Sequence, residues 1–487
     1  MSKDSIYSDR PLIIRDILRQ SAALYGDMIA YKFKGDKNGE YRSKTYAGAF
    51  DDINALGAAM TELGLKGKKI ALLGENCYPW IITYLTGAAG GIVSVPLGTQ
   101  LGEAAIKNLV GIADCAAIFY TEGFDEIIDG IDVPLKIRMN RYADADNPEG
   151  VLTWNKLLAD GRALPAEKII QFKTQEIDPE ALSVLMFTSG TTGAAKGAML
   201  TTRHLAHAVW DMEQAHNIHP GDVTVSILPI YHIFEAIMGQ LFMLGHGATI
   251  AFGDGIKYLK KNMTEVGVTV QLLVPLLVEN FYKTVWRSAK REGREDELNN
   301  RIKEFQRIRK ELEARNGRND DSEARSIARD MFKEEQAEFG GKLDSIFTGA
   351  AAIDPKYIRG LQDIGIKITQ GYGMTEAGPL VSTTPYFSDT YGTAGSVGPV
   401  TPSGEIQISD PDDDGVGEVM YRSPSLMKGY LNMPEQSAKV LKDGWYYTGD
   451  FGFLDEKGWL YITGRKNNII VTKTGKNIFP EEIEADL

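Results

Sequence analysis

Two hydrophobic periods alternate along the chain. From Tyr46 to Leu63 the apolar residues fall at Tyr46, Phe50, Ile53, Leu56, Met60 and Leu63, the spacing of one helical face. Ile70 to Leu73 then forms a short continuous apolar run closed by Gly74. The stretches "IVSVPLG" and "CAAIFYT" and the run Ser183-Val184-Leu185-Met186-Phe187 have the same character. Continuous apolar runs of this length predict strands covered on both faces. Strand and helix in alternation predict a parallel sheet with helices on both sides, an α/β fold.

Three stretches depart from this pattern. Trp80 to Gly98, "WIITYLTGAAGGIVSVPLG", is the longest apolar tract, but Thr, Ser, glycines and Pro96 interrupt it. It predicts a buried helix, a glycine turn and a strand, not a membrane span. Residues 284–338 are dense in charge and carry a helical stripe at Leu298, Ile302, Phe305, Ile308 and Leu312. Asn316-Gly317 breaks the stripe, and a second one follows through Ile327, Met331 and Phe332, so a helical hairpin inserted at the surface is expected. From 393 to 464, "GEIQIS", "GEVMYRS" and "GWLYITGR" sit between turns rich in Gly, Pro and Asp, which predicts a small antiparallel β unit.

At 487 residues the chain is too long for one ordinary core, so more than one domain is expected. The net charge of −13 argues against nucleic acid as a partner, because phosphate backbones need a basic surface. It leaves room for a local basic pocket. Two cysteines, Cys77 and Cys115, and an N-terminus "MSKDSIYSDR" without signal-peptide character point to a reducing, cytoplasmic compartment.

The chemistry concentrates after the run ending at Phe187. "MFTSGTTGAAKGAML", residues 186–200, offers the hydroxyls of Thr188, Ser189, Thr191 and Thr192, the glycines Gly190 and Gly193, and Lys196. A loop between a strand and a helix can hold phosphate, with glycines letting backbone N–H groups approach the anion. The spacing is not that of a Walker A loop, since Lys196 follows Ala195 and precedes Gly197, with no Ser or Thr after the lysine. On the residues alone, a Gly/Thr surface turn stays open beside a phosphate loop.

The string "FTSGTTGAAKG" closely resembles the phosphate-loop signature of the adenylate-forming (AMP-binding) superfamily, with Ala195 where those proteins usually have proline. Five further stretches resemble that superfamily in the same order. They are "ILPIYHIFE" (Ile227 to Glu235), "FTGAA" (Phe347 to Ala351), "QGYGMTEAG" (Gln370 to Gly378), "GWYYTGDFGFLDEKGWLYITGRKNNII" (Gly444 to Ile470) and "GKNIFPEEIE" (Gly475 to Glu484). The resemblance implies an N-terminal domain over 1–464. It would hold two doubly wound α/β subdomains, about 1–180 and 181–392, and a small β-barrel subdomain over 393–464. Residues 465–487 would be the hinge and the start of a small mobile C-terminal domain.

The resemblance also implies roles. The 188–197 loop with Lys196 would hold the outer phosphates of ATP. Gly349, Ala350 and Ala351, with Gln370, Gly371, Tyr372, Gly373 and Met374, would line the adenine site, Tyr372 offering a flat face. Thr375 would contact the α-phosphate, and Thr188 and Glu376 would attend Mg²⁺. Asp450 would accept the ribose hydroxyls, Arg465 would donate to ribose or phosphate, and His232 would lie beside the acyl carboxylate; a buried core histidine is the other reading of His232. His204 and His207, three apart, fit an ordinary helix better than a metal site. The reaction implied is activation of a fatty acid by ATP to acyl-AMP, followed by transfer to coenzyme A.

The charged insertion and "GRKNNIIVTKTGKNIFPEEIE", with one extra residue between Arg465 and Gly475, most resemble long-chain fatty acyl-CoA synthetases. A late C-terminal lysine of that family is expected beyond "PEEIE", and Lys473 and Lys476 do not match it. The chain ends at Leu487, so a truncated form that adenylates slowly is expected. An acyl-AMP ligase feeding a carrier protein and a non-catalytic acyl or nucleotide sensor remain alternatives. Small-molecule substrates are the expected partners; peripheral contact with the inner membrane face and a homodimer stay open.

Overall fold

The computed structural model describes all residues except 1–10, 12, 38, 146, 189–194, 317–321, 387–390, 467–469, 472–476 and 479–487. The chain divides into two compact units. The first comprises Met1–Glu213, Ile218–Asn262 and Ser425–Pro434; the second comprises Gln214–Asn217, Met263–Pro424 and Glu435–Leu487.

The strands of the first unit are β1 (Ile29–Lys34), β2 (Tyr41–Thr45), β3 (Lys69–Leu73), β4 (Val93–Leu97), β5 (Cys115–Thr121), β6 (Leu135–Met139), β7 (Leu182–Thr188), β8 (Lys196–Thr201), β9 (Val223–Ser226) and β10 (Thr249–Phe252). Six form one sheet in the order β6-β5-β3-β4-β7-β8, parallel except for β8. Its apolar runs are buried as expected: Leu73, Val95, Ile118 and Leu185 meet in one cluster. The helix Tyr46–Glu62 starts where the Thr45 hydroxyl accepts from Gly48 N at 3.1 Å. The tract from Trp80 is the buried helix Tyr78–Gly90, ended by Gly91 in the left-handed region at φ +70°, then β4. A second sheet, β2-β1-β10-β9, has no counterpart in the hydrophobic pattern. No helix among the described residues is long and apolar enough to cross a membrane.

The second unit holds β11 (Val270–Leu273), β12 (Ser345–Thr348), β13 (Lys367–Tyr372) and β14 (Ser382–Thr383) in sequential order, parallel up to the antiparallel β14. Its β unit is a five-stranded antiparallel sheet: β15 (Glu405–Ser409), β16 (Gly417–Arg422), β17 (Leu441–Lys442), β18 (Trp445–Leu454) and β19 (Leu460–Arg465). The charged insertion is helical, Glu295–Asn316 followed by Ser322–Met331. Leu298, Phe305, Leu312 and Phe332 from its stripe are buried. The Arg309 guanidinium lies 3.6 Å from the Tyr391 ring centroid, which ties the hairpin to the segment after β14.

Candidate active site

In the first unit, β7 and β8 pair antiparallel with Thr188 opposite Lys196, and the Thr188 hydroxyl donates to the Lys196 carbonyl at 3.4 Å. This corrects one expectation. The loop joins two strands, not a strand and a helix; the next helix begins only at Thr202. The reason lies in β8, where Ala198 and Leu200 alternate inward with no exposure. The segment 428–431 closes its other edge: Met199 N donates to Gly429 O (3.0 Å) and Leu431 N to Gly197 O (2.8 Å). That segment brings Tyr430, whose ring centroid lies 5.3 Å from the Lys196 ammonium. A cation over an aromatic face is held in place while still presenting its charge. Ser189, Gly190, Thr191, Thr192 and Gly193 lie outside the described residues, and Thr188 and Lys196 stand at the two ends of that stretch.

His232 is exposed, so it is not a core histidine. It precedes the helix Phe234–Phe242, which is wound as a π-helix over nine residues. Such winding is rare and concentrates at functional sites. Glu235, on its first turn, is 1% exposed. Ser226 Oγ donates to Glu235 Oε1 at 2.6 Å and Gln240 Nε2 donates to the same oxygen at 3.0 Å. Burial, only partly offset by these two bonds, pushes the carboxyl up from 4.5 to about 7. Between pH 4.5 and 7 the folded chain therefore keeps a proton that the unfolded chain releases, so this group's contribution to stability falls as pH rises through that window. Glu235→Gln removes the slope. Urea unfolding should favour the variant over the parent by roughly 2–3 kcal/mol more at pH 8 than at pH 5; parallel pH profiles would refute this assignment.

His204 and His207 lie on the helix Thr202–Ala215. His204 is built into its start, His204 N donating to Thr201 Oγ1 at 3.2 Å and Thr201 N to His204 Nδ1 at 3.3 Å. Burial lowers its imidazole to about 4, the behaviour of a structural histidine.

In the second unit the expected nucleotide residues converge at strand ends. Gly349, Ala350 and Ala351 leave β12, and Gln370 to Tyr372 end β13. Thr375 and Glu376 form a one-turn helix next along the chain, with Glu376 buried. Two of the glycines are required by close approach. A Cβ on Gly349 would lie 2.8 Å from the Gly371 carbonyl oxygen, and one on Gly373 would lie 1.8 Å from the Pro379 carbonyl oxygen. Ala350 has φ +73°, a left-handed conformation unusual for a residue with a side chain.

Asp450 sits inside β18, not in a turn. Gly449 before it is left-handed at φ +74°, and the pairing of β18 with β19 shifts between Phe451 and Gly452. The Tyr372 hydroxyl donates to Asp450 Oδ2 at 2.6 Å, and Arg465 Nε lies 3.4 Å from Asp450 Oδ1. Burial first, then the Asp450 charge, holds the Tyr372 hydroxyl well above the ordinary tyrosine range. Two residues here were not anticipated. Glu418 on β16 accepts from Gly449 N at 3.1 Å and from Lys466 Nζ at 2.6 Å, fixing the backbone beside Asp450. Their separation of 48 residues leaves no local signal.

These residues fit a nucleoside. Asp450 presents a carboxylate, an acceptor-only group of the kind that ribose hydroxyls call for. On the same face of β13 as Tyr372, Gln370 Oε1 is a buried acceptor with no partner among the described residues, and neighbouring Thr348 Oγ1 is another such atom. Buried polar atoms without protein partners can be satisfied by water or by a ligand's polar groups.

Comparisons with known proteins bear on the family and the fold. A family model described as "AMP-binding enzyme" matches residues 18–431. Human long-chain-fatty-acid–CoA ligase 1 is 30% identical over 472 residues, 91% of this chain and 66% of that protein. The chain thus spans about two thirds of the length of such relatives. Among solved structures, the N-terminal domain of FACL13 from Mycobacterium tuberculosis superposes with a TM-score of 0.68 at 22% identity, covering 92% of this chain and 99% of that one. A Mycobacterium tuberculosis fatty acyl CoA synthetase gives 0.69 at 23%, covering 98% and 83%. These structures share the fold, and with a family model covering most of its length the chain belongs to the AMP-binding enzyme family.

Proposed function

We propose that the protein activates a fatty acid, of long chain, with ATP to give acyl-AMP and pyrophosphate, and then passes the acyl group to coenzyme A with release of AMP. The observation that carries this reading is the Tyr372–Asp450–Arg465 cluster beside the Gly349–Gly373 cradle, a set shaped for a nucleoside. Asp450 holds ribose hydroxyls, Arg465 donates to sugar or phosphate oxygens, and Thr375 meets the α-phosphate. Lys196 neutralises charge on the departing pyrophosphate. Glu376 would offer a carboxylate oxygen and Thr188 a hydroxyl oxygen to Mg²⁺, a hard cation that suits such donors and would shield phosphate charge. His232, exposed at the start of its helix, meets the acid's carboxylate. Chemistry of this kind rests on positioning and charge stabilisation, which these residues supply. The long-chain assignment leans on the names of the relatives.

The test is pyrophosphate release by the intact protein across acids of increasing length, with ATP, Mg²⁺ and coenzyme A. Release should rise with chain length, and AMP formation should depend on coenzyme A. Lys196→Ala should lower the rate about tenfold to a hundredfold, the loss of one charge-assisted contact in the transition state. Acid-dependent melting shifts without pyrophosphate would overturn the reading in favour of a sensor; pyrophosphate release without any coenzyme A-dependent formation of AMP would point to a carrier protein as acceptor.

A further inference from the structure

Beneath the exposed His232 lies a buried polar network to which the proposed reaction assigns no part. It lies within the first unit. Asn76 leaves the end of β3, Ser226 is the last residue of β9, and Glu235 and Gln240 face each other on the π-wound helix. Ser226 Oγ donates to Glu235 Oε1 (2.6 Å) and accepts from Gln240 Nε2 (3.0 Å) and from Asn76 Nδ2 (2.8 Å). Gly239 makes room for the carboxyl, since a Cβ there would lie 2.7 Å from it.

Asn76 then grips the turn above. Its Nδ2 donates to the Leu228 carbonyl at 2.7 Å and its Oδ1 accepts from Ile230 N at 3.0 Å, with Pro229 clamped between. His232 N donates to the Pro229 carbonyl at 2.9 Å, and Ala236 N to the His232 carbonyl at 3.0 Å. A continuous chain of bonds therefore runs from Glu235 through Ser226 and Asn76 to the backbone that carries the imidazole. A buried network of linked hydrogen bonds of this kind favours one geometry, and removing one member disturbs the rest.

We propose that Glu235 is a positioning residue, which through Ser226 and Asn76 fixes the Leu228–His232 turn and so sets where His232 meets the acid substrate. This rests on the proposed contact between His232 and the acid's carboxylate. The network joins the loop after β3 of the six-stranded sheet to β9 of the four-stranded sheet. That connection explains why a carboxyl is kept in a place where burial disfavours its charge.

The intact protein, with palmitate and AMP as separate binding probes, tests this. Glu235→Ala and Asn76→Ala should each weaken palmitate binding about tenfold, as one bond of the network is lost, while AMP affinity holds. Glu235→Gln, which keeps an acceptor for Ser226 and Gln240, should restore palmitate affinity to within about twofold. The His232 imidazole resonances, assigned with His232→Ala, should shift in both alanine variants and return in the glutamine variant. If His232→Ala weakens palmitate binding and Asn76→Ala does not, the inference falls and the reading of His232 stands. If His232→Ala leaves palmitate binding intact, the reading itself falls. Should Glu235→Ala fail to fold, Asn76→Ala, at a half-buried loop position, decides by the same two measurements.

Discussion

Asp450→Ala is expected to weaken AMP binding by about 10²–10³-fold, the loss of two hydrogen bonds to a charged acceptor. The change does more than remove an acceptor. Asp450 receives the Tyr372 hydroxyl at 2.6 Å and faces Arg465 Nε at 3.4 Å. Without the carboxylate the Tyr372 hydroxyl loses the acceptor for its proton, and an unmet buried donor costs about 1–3 kcal/mol by itself. The Arg465 pair contributes little to that sum, because its guanidinium is largely exposed and such pairs are screened. Asp450→Asn separates the two effects. It keeps one oxygen for Tyr372 but loses charge and one acceptor, so about a tenfold loss is expected. Calorimetric titration of AMP into parent and variants is the measurement. An Asp450→Ala affinity within threefold of the parent would remove Asp450 from the nucleotide site.

Much of the frame is legible in the sequence because the strands that carry it are buried on both faces. Ile70–Leu73, Val93–Leu97 and Cys115–Thr121 are continuous apolar runs, and each is a parallel strand of the six-stranded sheet. The insertion is legible for the opposite reason, a clean helical stripe ending at Asn316. The β2-β1-β10-β9 sheet is not, since "IAYKFK" and "YRSKT" mix lysine and arginine into short strands. β8 escapes the hydrophobic pattern because a Gly/Thr loop after a strand commonly opens a helix, whereas here Lys196 begins a return strand. The site divides in the same way. Tyr372 and Gly349 sit at strand ends, where local motifs suffice to mark them. Asp450 looks like a turn residue beside Gly449, yet it lies within a ten-residue strand. Glu418, Tyr430 and Asn76 act on residues far away in the chain, so no window of sequence shows them. Glu235 shares the "ILPIYHIFE" motif with His232, but its burial and its unusual helix are properties of the fold.

Gly373→Ala should be strongly damaging. A Cβ there would stand 1.8 Å from the Pro379 carbonyl oxygen, 2.8 Å from the Pro379 carbonyl carbon and 3.0 Å from Leu380 Cα. All three are backbone atoms, so no rotamer change relieves the clash. The backbone is also tied on both sides. Val381 N donates to the Tyr372 carbonyl at 2.9 Å, and Ala377 N to the Met374 carbonyl at 3.1 Å. Gly373 does not have a positive φ, so the penalty is steric and not conformational. To admit the methyl, the turn that carries Thr375 and Glu376 must open, at about 3 kcal/mol of stability by analogy with overpacked cores. Gly371→Ala is the control two residues away. Its nearest contact is the end of the Leu380 side chain at 3.1 Å, which can swing aside, so a cost below about 1 kcal/mol is expected. Urea unfolding of the two variants should place the Gly373→Ala midpoint well below that of Gly371→Ala. Equal midpoints would mean that the 373–379 turn yields freely, and the rigid cradle assigned to the nucleoside would have to be abandoned.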